Sequence, residues 1–436
     1  METTVADMGK SDGILILTSS FPRYEGDYAG AFVQDTCEAL LASGYTSSVI
    51  SPSGRERSEY QPPGIPVHRF DYFLPRSAQG VAFGGGIAHN LSHSSHALIQ
   101  LPFFLLQFAR RTVALSRDHR IMLANWLFPS GIVGAIAKSL TKTPLVMIAR
   151  GSDVNRASGV IKRGLIGCIA RRADAVICVS DQLKRTLIEC GVPPDRVHSF
   201  PDGVDAFDRR FEREPCRVSF IGRLVEGKGV EDLLHAVSSL SEDHFLHLDV
   251  AGDGPLMGVL KSQTLRIQGP TDVRFLGRIS RDDVPDLMSR SSILALPSLS
   301  EGLPDTILTA MACGTSVLST RIPGVIQVVE DGMTGILVQP SSKEELTLAL
   351  QLLIENPVFA RRLGSRGTRS VLKRFQRPQM VMKLVRIIRS LVTPQSQISG
   401  TREKQTEEAA KDRKRADHRE NSSYITRTVP VGGNGR

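Results

Sequence analysis

Between Leu296 and Gly314 the chain places residues suited to holding a charged, hydroxyl-rich ligand. The run Leu296-Pro297-Ser298-Leu299-Ser300-Glu301-Gly302-Leu303-Pro304-Asp305 passes from apolar to small polar residues, then to a lone carboxylate, then to Gly and Pro. A helix-like stretch follows and stops at Gly314. Pro304 suits a helix start, where its missing N–H would have had no partner, and Gly314 suits the residue beyond the end. The free N–H groups and positive dipole end of such a helix attract phosphate, while Glu301 can accept hydrogen bonds from hydroxyls. Phosphate on one side and hydroxyls on the other describe a nucleotide-sugar. Spacing alone also allows Glu301 to be an ordinary first-turn acid.

A second loop, Gly222-Arg223-Leu224-Val225-Glu226-Gly227-Lys228-Gly229, lies between an expected strand and an expected helix. It lacks the Gly-Lys-Ser/Thr of a Walker A loop. Arg223 and Lys228 at a helix start would neutralise a departing diphosphate without a metal, or else stand as two solvated cations. Gly252-Asp253-Gly254-Pro255 reads more strongly as a structural turn. Gly277-Arg278-Ile279 offers backbone to a base edge. In the first half, Gly30, Asn125, Arg150 and Asp153 are the candidates for an acceptor side or a phosphate contact. Asp153 also fits a helix N-cap, and Trp126, the single Trp, fits either the core or a sugar platform.

The elements that must carry these loops follow a βα rhythm. Strands are expected at 14–19, 46–51, 67–70, 121–124, 145–149 and 175–179, with helices between. The pattern breaks near Asp202-Gly203-Val204-Asp205 and a new rhythm starts, with strands at 217–221, 245–251, 273–276, 293–296, 316–319 and 335–338. Helices are expected at 229–240, 256–265, 282–289, 304–313, 325–329 and 343–354, then one helical region over 357–391. The fold class is α/β, with two doubly wound, Rossmann-like domains facing across a cleft. The expected division is 1–205 on the acceptor side, 206–375 for the nucleotide-sugar, a C-terminal helix at 376–393 packing back on the first domain, and a disordered tail at 394–436.

Charge and composition narrow the partners. The chain has 436 residues, 41% hydrophobic and 23% charged, with a net charge of +9. From Pro394 onward nine Lys/Arg and six Asp/Glu contribute +3, leaving +6 on the body. That excess suits anionic substrates or a phospholipid surface. Aromatics are 6% and do not interleave with basic clusters, which disfavours nucleic acid. Six cysteines form no Cys-x-x-Cys pair and read as buried free thiols in a reducing, cytoplasmic setting. The greasy stretch 97–109 is too short to span a bilayer. It reads as a buried helix or as a membrane-docking face at the inner membrane surface, with Arg110 and Arg111 directly after it. No Gly-x-Gly-x-x-Gly follows the first strand, so a dinucleotide oxidoreductase is disfavoured.

Taken in series, these pieces resemble the retaining GT-B glycosyltransferases of the group 1, or family 4, type. The resemblance spans roughly residues 12–390. It rests on Phe21-Pro22-Arg23, Arg150-Gly151-Ser152-Asp153, Asp202-Gly203-Val204-Asp205, Gly222-Arg223-Leu224 with Lys228-Gly229, Gly252-Asp253-Gly254-Pro255, Phe275-Leu276-Gly277, the segment from Pro297 to Gly314, and Asp331-Gly332 with Gly335. It implies a metal-independent transfer with no cofactor, using a nucleotide-sugar such as a UDP- or GDP-sugar. The acceptor would be a lipid-linked glycan, a polysaccharide or a small molecule. Arg223, Lys228 and Glu301 would be catalytic. Gly222, Gly277, Arg278, Ile279, Gly302, Leu303, Pro304 and Thr309 would bind the donor.

The chain departs from that pattern at three places. Thr309 stands where many members carry a second Glu that grips the donor ribose. Gln327 stands where another Glu is usual, and Arg150 replaces the His of a His-Gly pair. Retention of Arg223, Lys228 and Glu301 favours an active enzyme. The alternatives are a catalytically weakened nucleotide-sugar-binding partner protein and a GT-B nucleotide-sugar epimerase.

Overall fold

Short apolar runs form two all-parallel sheets. The structure, a computed structural model, describes residues 13–392 apart from residue 28 and the stretches 55–59, 83–85, 152–158, 208–210 and 241–243. The candidate Asp153 and the expected tail at 394–436 lie outside the described residues.

The first sheet contains β1 (Ile14–Leu17), β2 (Ser47–Pro52), β3 (Val67–Phe70), β4 (Ile121–Asn125), β5 (Leu145–Ala149), β6 (Ala175–Cys178) and β7 (Val197–Ser199). Its order is β3-β2-β1-β4-β5-β6-β7. The central strand β1 is apolar throughout and fully buried, as a strand covered on both faces must be. Ile14 pairs with Ser47 on one side and Ile121 on the other. The connecting helices are α1 (Ala31–Ala42), α2 (Ile87–His93), α3 (Ser95–Ser116), α4 (Ile132–Thr141), α5 (Val160–Ala170) and α6 (Asp181–Glu189). From β1 to β3 the chain moves one way across the sheet, and from β3 to β7 the other. Right-handed crossovers therefore put α1 on one face and α3, α4, α5 and α6 together on the opposite face.

The second sheet contains β8 (Glu214–Ile221), β9 (His247–Ala251), β10 (Asp272–Gly277), β11 (Ser291–Leu296), β12 (Ser316–Thr320) and β13 (Ile336–Val338), in the order β10-β9-β8-β11-β12-β13. Its helices are α7 (Val230–Leu240), α8 (Met257–Thr264), α9 (Val284–Arg290), α10 (Asp305–Ala312), α11 (Pro323–Ile326), α12 (Lys343–Glu355), α13 (Pro357–Arg374) and α14 (Arg377–Val392). Phe220, Val250, Ile293, Leu294, Ile307, Met311 and Leu350 fill the core between the layers.

The short strand β7 and the helix α2 were not expected from the sequence. The single helical region expected over 357–391 is two helices. At the break, Val204 N–H donates to the Phe375 carbonyl at 2.8 Å and Arg377 N–H donates to the Val204 carbonyl at 3.0 Å. That pairing removes two backbone groups from a continuous helix, and Pro378 has no N–H to resume one. Cys37, Cys178 and Cys313 are buried free thiols as expected, whereas Cys168 is exposed on the outward side of α5. Contacts gather the chain up to Arg386 into one unit, and a second unit begins at Ile387.

Within the first unit the carboxyl ends of the two sheets meet. A Cβ on Gly302, in the loop after β11, would lie 2.7 Å from the carbonyl of Arg150, which follows β5. Asp181 N–H, at the start of α6, donates to Gln327 Oε1 at 3.1 Å. Asp35 on α1 is buried and ion-paired with Arg281, in the turn before α9, and with Arg377 at 3.0 Å. Arg377 also donates from Nε to Asp205 at 2.8 Å. Removing the carboxylate would leave two guanidiniums facing each other, Arg377 mostly buried and Arg281 partly open to water. Asp35→Ala is therefore expected to lower the unfolding free energy by about 3–5 kcal/mol, read from denaturant midpoints.

Candidate active site

The loop after β8 and the loop after β11 are adjacent because β8 and β11 are paired strands. Gly229 closes the first loop with φ +67, and a Cβ there would come within 2.1 Å of the Pro297 carbonyl. Only glycine permits both the left-handed backbone and the close approach. Leu299 N–H donates to the Gly227 carbonyl at 3.0 Å, tying the second loop to the first. On the other side a Cβ on Gly324 would meet the carbonyls of Gly302 and Glu301 at 2.2 and 2.7 Å. The Glu301 loop is thus clamped between two neighbouring loops by backbone contact.

This clamp brings Lys228 and Glu301 together. Lys228 Nζ donates to Glu301 Oε1, and Ser298 Oγ donates to the same oxygen at 2.8 Å. Both charged side chains are mostly buried. The second carboxylate oxygen receives neither of these two bonds. The Lys228 stem lies over Gly222, with its Cδ 4.0 Å from where a Cβ would stand. Arg223 follows in the same loop and is exposed. Leu303 is half-buried and Pro304 is buried at the N-cap of α10. Ser298 was part of the sequence motif but carried no role. Its Ser-x-x-Glu spacing is the signal that could have assigned one.

The remaining donor-side candidates are more scattered. The turn after β9 braces the first loop: Leu224 N–H donates to the Asp253 carbonyl at 3.0 Å and Gly222 N–H to the Ala251 carbonyl at 3.0 Å. Arg278 is exposed and pairs with Asp253 at 3.2 Å, while Gly277 ends β10 and Ile279 is half-buried. Thr309 Oγ1 donates to the Asp305 carbonyl at 3.0 Å, inside its own helix.

On the first-sheet side, Arg150 donates to Asn125 Oδ1 at 2.9 Å and is ion-paired with Asp202. Its guanidinium carbon stands 3.9 Å above the Phe32 ring, and Phe32 meets Trp126 edge-to-face at 5.5 Å. Trp126 is half-buried with φ +68. Asn125 is buried, and its Nδ2 has no partner among the described residues. Gly30 is the N-cap of α1 and packs against the Ser20 carbonyl. Asp202 is not legible in the sequence as a site residue, because its pairing with Arg150 across 52 positions leaves no local spacing to read.

Asp305, the first residue of α10, keeps open surface as a residue while its carboxyl group sits among charged groups. Its carboxyl is pushed up to about 6, first by loss of water and then by Asp202, while Arg150, Arg377 and Arg281 pull it back. All four of those groups stand at the meeting of the two sheets.

Two family descriptions match the chain in series: Glycosyl transferase 4-like domain over residues 29–203 and Glycosyl transferases group 1 over residues 205–370. The chain belongs to the group 1 glycosyltransferases. It is 28% identical over 269 residues to an uncharacterized glycosyltransferase of Methanocaldococcus jannaschii, covering 62% of this chain and 74% of that one. It is 27% identical over 319 residues to one polypeptide of the human phosphatidylinositol N-acetylglucosaminyltransferase, covering 70% of this chain and 61% of that one. Among solved structures, Anabaena HepE in complex with UDP and glucose superposes with a TM-score of 0.66 at 19% identity, over 87% of this chain and 100% of that one. The fold of this glycosyltransferase is GT-B, as its sequence implied.

Two outcomes follow for the site. In a double-mutant cycle on unfolding, Lys228→Met and Glu301→Gln should be coupled by about 1–3 kcal/mol, because either change alone strands a mostly buried charge. The second outcome concerns pH. A carboxyl whose folded pKa exceeds its unfolded value binds its proton more tightly when folded, so ionising it costs stability as pH rises through about 6, and the cost is absent below about pH 4. Asp305→Asn should therefore raise the thermal midpoint relative to the parent above about pH 7, with the difference vanishing below about pH 4.

Proposed function

We propose that this glycosyltransferase moves a sugar from a nucleoside-diphosphate donor to a hydroxyl of a lipid-linked glycan, polysaccharide or small-molecule acceptor, with retention at the anomeric carbon and without a metal ion or other cofactor. The observation that carries the reading is the Lys228–Glu301 pair, clamped beside the start of α10. An ammonium for the diphosphate and a carboxylate for sugar hydroxyls stand side by side, where a helix N-terminus adds positive potential. The UDP and glucose named for the Anabaena structure support a nucleotide-sugar donor. The lipid named for the human relative supports a lipid-borne acceptor.

In this reading the acceptor hydroxyl attacks the anomeric carbon from the face the diphosphate leaves. The C–O bond to phosphate breaks as the new glycosidic bond forms, and the leaving phosphate oxygen takes the acceptor proton. Lys228 and Arg223 hold the charge that grows on the diphosphate. Glu301 accepts bonds from the sugar hydroxyls and keeps the ring in place. The acceptor lies toward Arg150 and Asn125, whose unpartnered Nδ2 can donate to an incoming oxygen. Thr309, with its hydroxyl already engaged, leaves the ribose less firmly held than a carboxylate would. The acceptor side faces the inner membrane surface from the cytoplasm.

A panel of UDP- and GDP-sugars tests the reading. Lys228→Ala and Glu301→Gln should each lower donor turnover by about 10²–10³, with anomeric retention in the product read by NMR. Unchanged turnover in both variants would remove the proposed roles. Nucleotide binding without turnover against any acceptor would leave a binding partner instead of an enzyme.

A further inference from the structure

One layer of the first sheet has a surface that sugar transfer does not use. The helices α3, α4 and α5 are 22, 10 and 11 residues long and contain no Asp or Glu. By the handedness of the crossovers they lie on the same face of the sheet, and α3 packs directly on α4. Half of α3 is core: Ala97, Phe104 and Phe108 are buried. The other half looks outward without a charged residue until Arg110. Ile99, Phe103 and Leu106 of α3, Ile136 and Leu140 of α4, and Leu165 of α5 each keep between 45% and 65% of their surface exposed. Single exposed apolar residues are ordinary, but six on three neighbouring helices form a patch.

Cations frame that patch. Arg110 and Arg111 on α3, Lys162 and Arg163 on α5, and Arg172 just after it are all exposed. Between α4 and α5 runs an open groove of about 300 Å³, lined by Ile132, Ile136, Ile169 and Arg172 among others. Elsewhere in the same half the helices carry acids, such as Asp35 and Glu38 on α1 or Asp181 and Glu189 on α6. Residues 13–205 hold twenty Lys/Arg against fifteen Asp/Glu. No described helix is long and apolar enough to cross a membrane.

We infer that the outer faces of α3, α4 and α5 dock this protein on an anionic phospholipid bilayer. A broad apolar face without acids, ringed by guanidinium and ammonium groups, matches acyl chains bounded by phosphate headgroups. The apolar side chains enter the headgroup–acyl boundary, and the groove between α4 and α5 receives a displaced acyl chain. This surface is distinct from the Lys228–Glu301 site, which belongs to loops of the second sheet, and it shares with the proposed function only the placement at a membrane surface.

Flotation of the full chain with phosphatidylcholine vesicles, with and without phosphatidylglycerol, tests it. Binding should be about tenfold stronger with the anionic lipid and should weaken as salt is raised. The double variants Phe103→Ser/Leu106→Ser and Arg110→Glu/Arg111→Glu should each lower vesicle binding by about tenfold. Leu348→Ser, at an equally exposed site on α12, should leave it unchanged. UDP binding by calorimetry should be the same in all variants, so a lost donor site and a lost docking face read differently. Equal vesicle binding by parent and docking variants, or none by the parent, would overturn the inference. So would sedimentation showing that the variants convert a dimer to a monomer, which would make the face a self-contact.

Discussion

Keeping a lysine and a glutamate together at the edge of a sheet is the constraint around which this site is built. Neither charge would be stable alone in that position, because each gives up most of its water. Held as a pair, with Ser298 donating to the same carboxylate, they offset each other's desolvation. Their closeness depends on backbone, not on the side chains themselves. Gly229 lets one loop touch the carbonyl of Pro297, and Gly324 lets another touch the carbonyls of Gly302 and Glu301. Since β8 and β11 are hydrogen-bonded neighbours, sheet order delivers the two loops to one place.

The same preference for charge over grease appears where the two sheets meet. Asp35 joins Arg281 and Arg377, Arg150 joins Asp202, and Gln327 receives the Asp181 amide. Burial and the neighbouring Arg377 bring the Arg281 guanidinium down to about 10. Such contacts specify one arrangement strongly, because shifting them strands a charge. They add little apolar area, so polar ligands can share the space without competing against a packed core. Asp305 shows the cost: a carboxylate placed among these groups is held partly against its own ionisation.

What could be read in advance follows the range of the interaction. Buried strands such as Leu145–Ala149 are continuous apolar runs, and nearly every one was placed within three residues of its observed ends. β7 escaped because three residues, one of them His198, make no pattern. The break between α13 and α14 escaped because it is enforced by Val204, far away in sequence. Within the site, Glu301 and the loop of Arg223 and Lys228 stood out by local spacing, whereas the Arg150–Asp202 pair did not. The stretch 97–109 left two readings open, since apolar residues occur on all sides of it. Packing divides them, with Phe104 inside and Phe103 outside, one position apart.

That division links topology to use. In a doubly wound sheet the strand ends carry the chemistry and the helices carry the outer surface. Because β3 to β7 all advance in one direction, four helices accumulate on one side, and three of them are free of acids. The loops after β4 and β5 emerge at the ends of the same strands whose helices form that layer. The buried strands β4 and β5 thus hold the helix layer and the loops bearing Asn125 and Arg150 in one fixed arrangement. Changing a side chain on the outer face alters what that layer touches without moving the loops, since the intervening strands are fully buried.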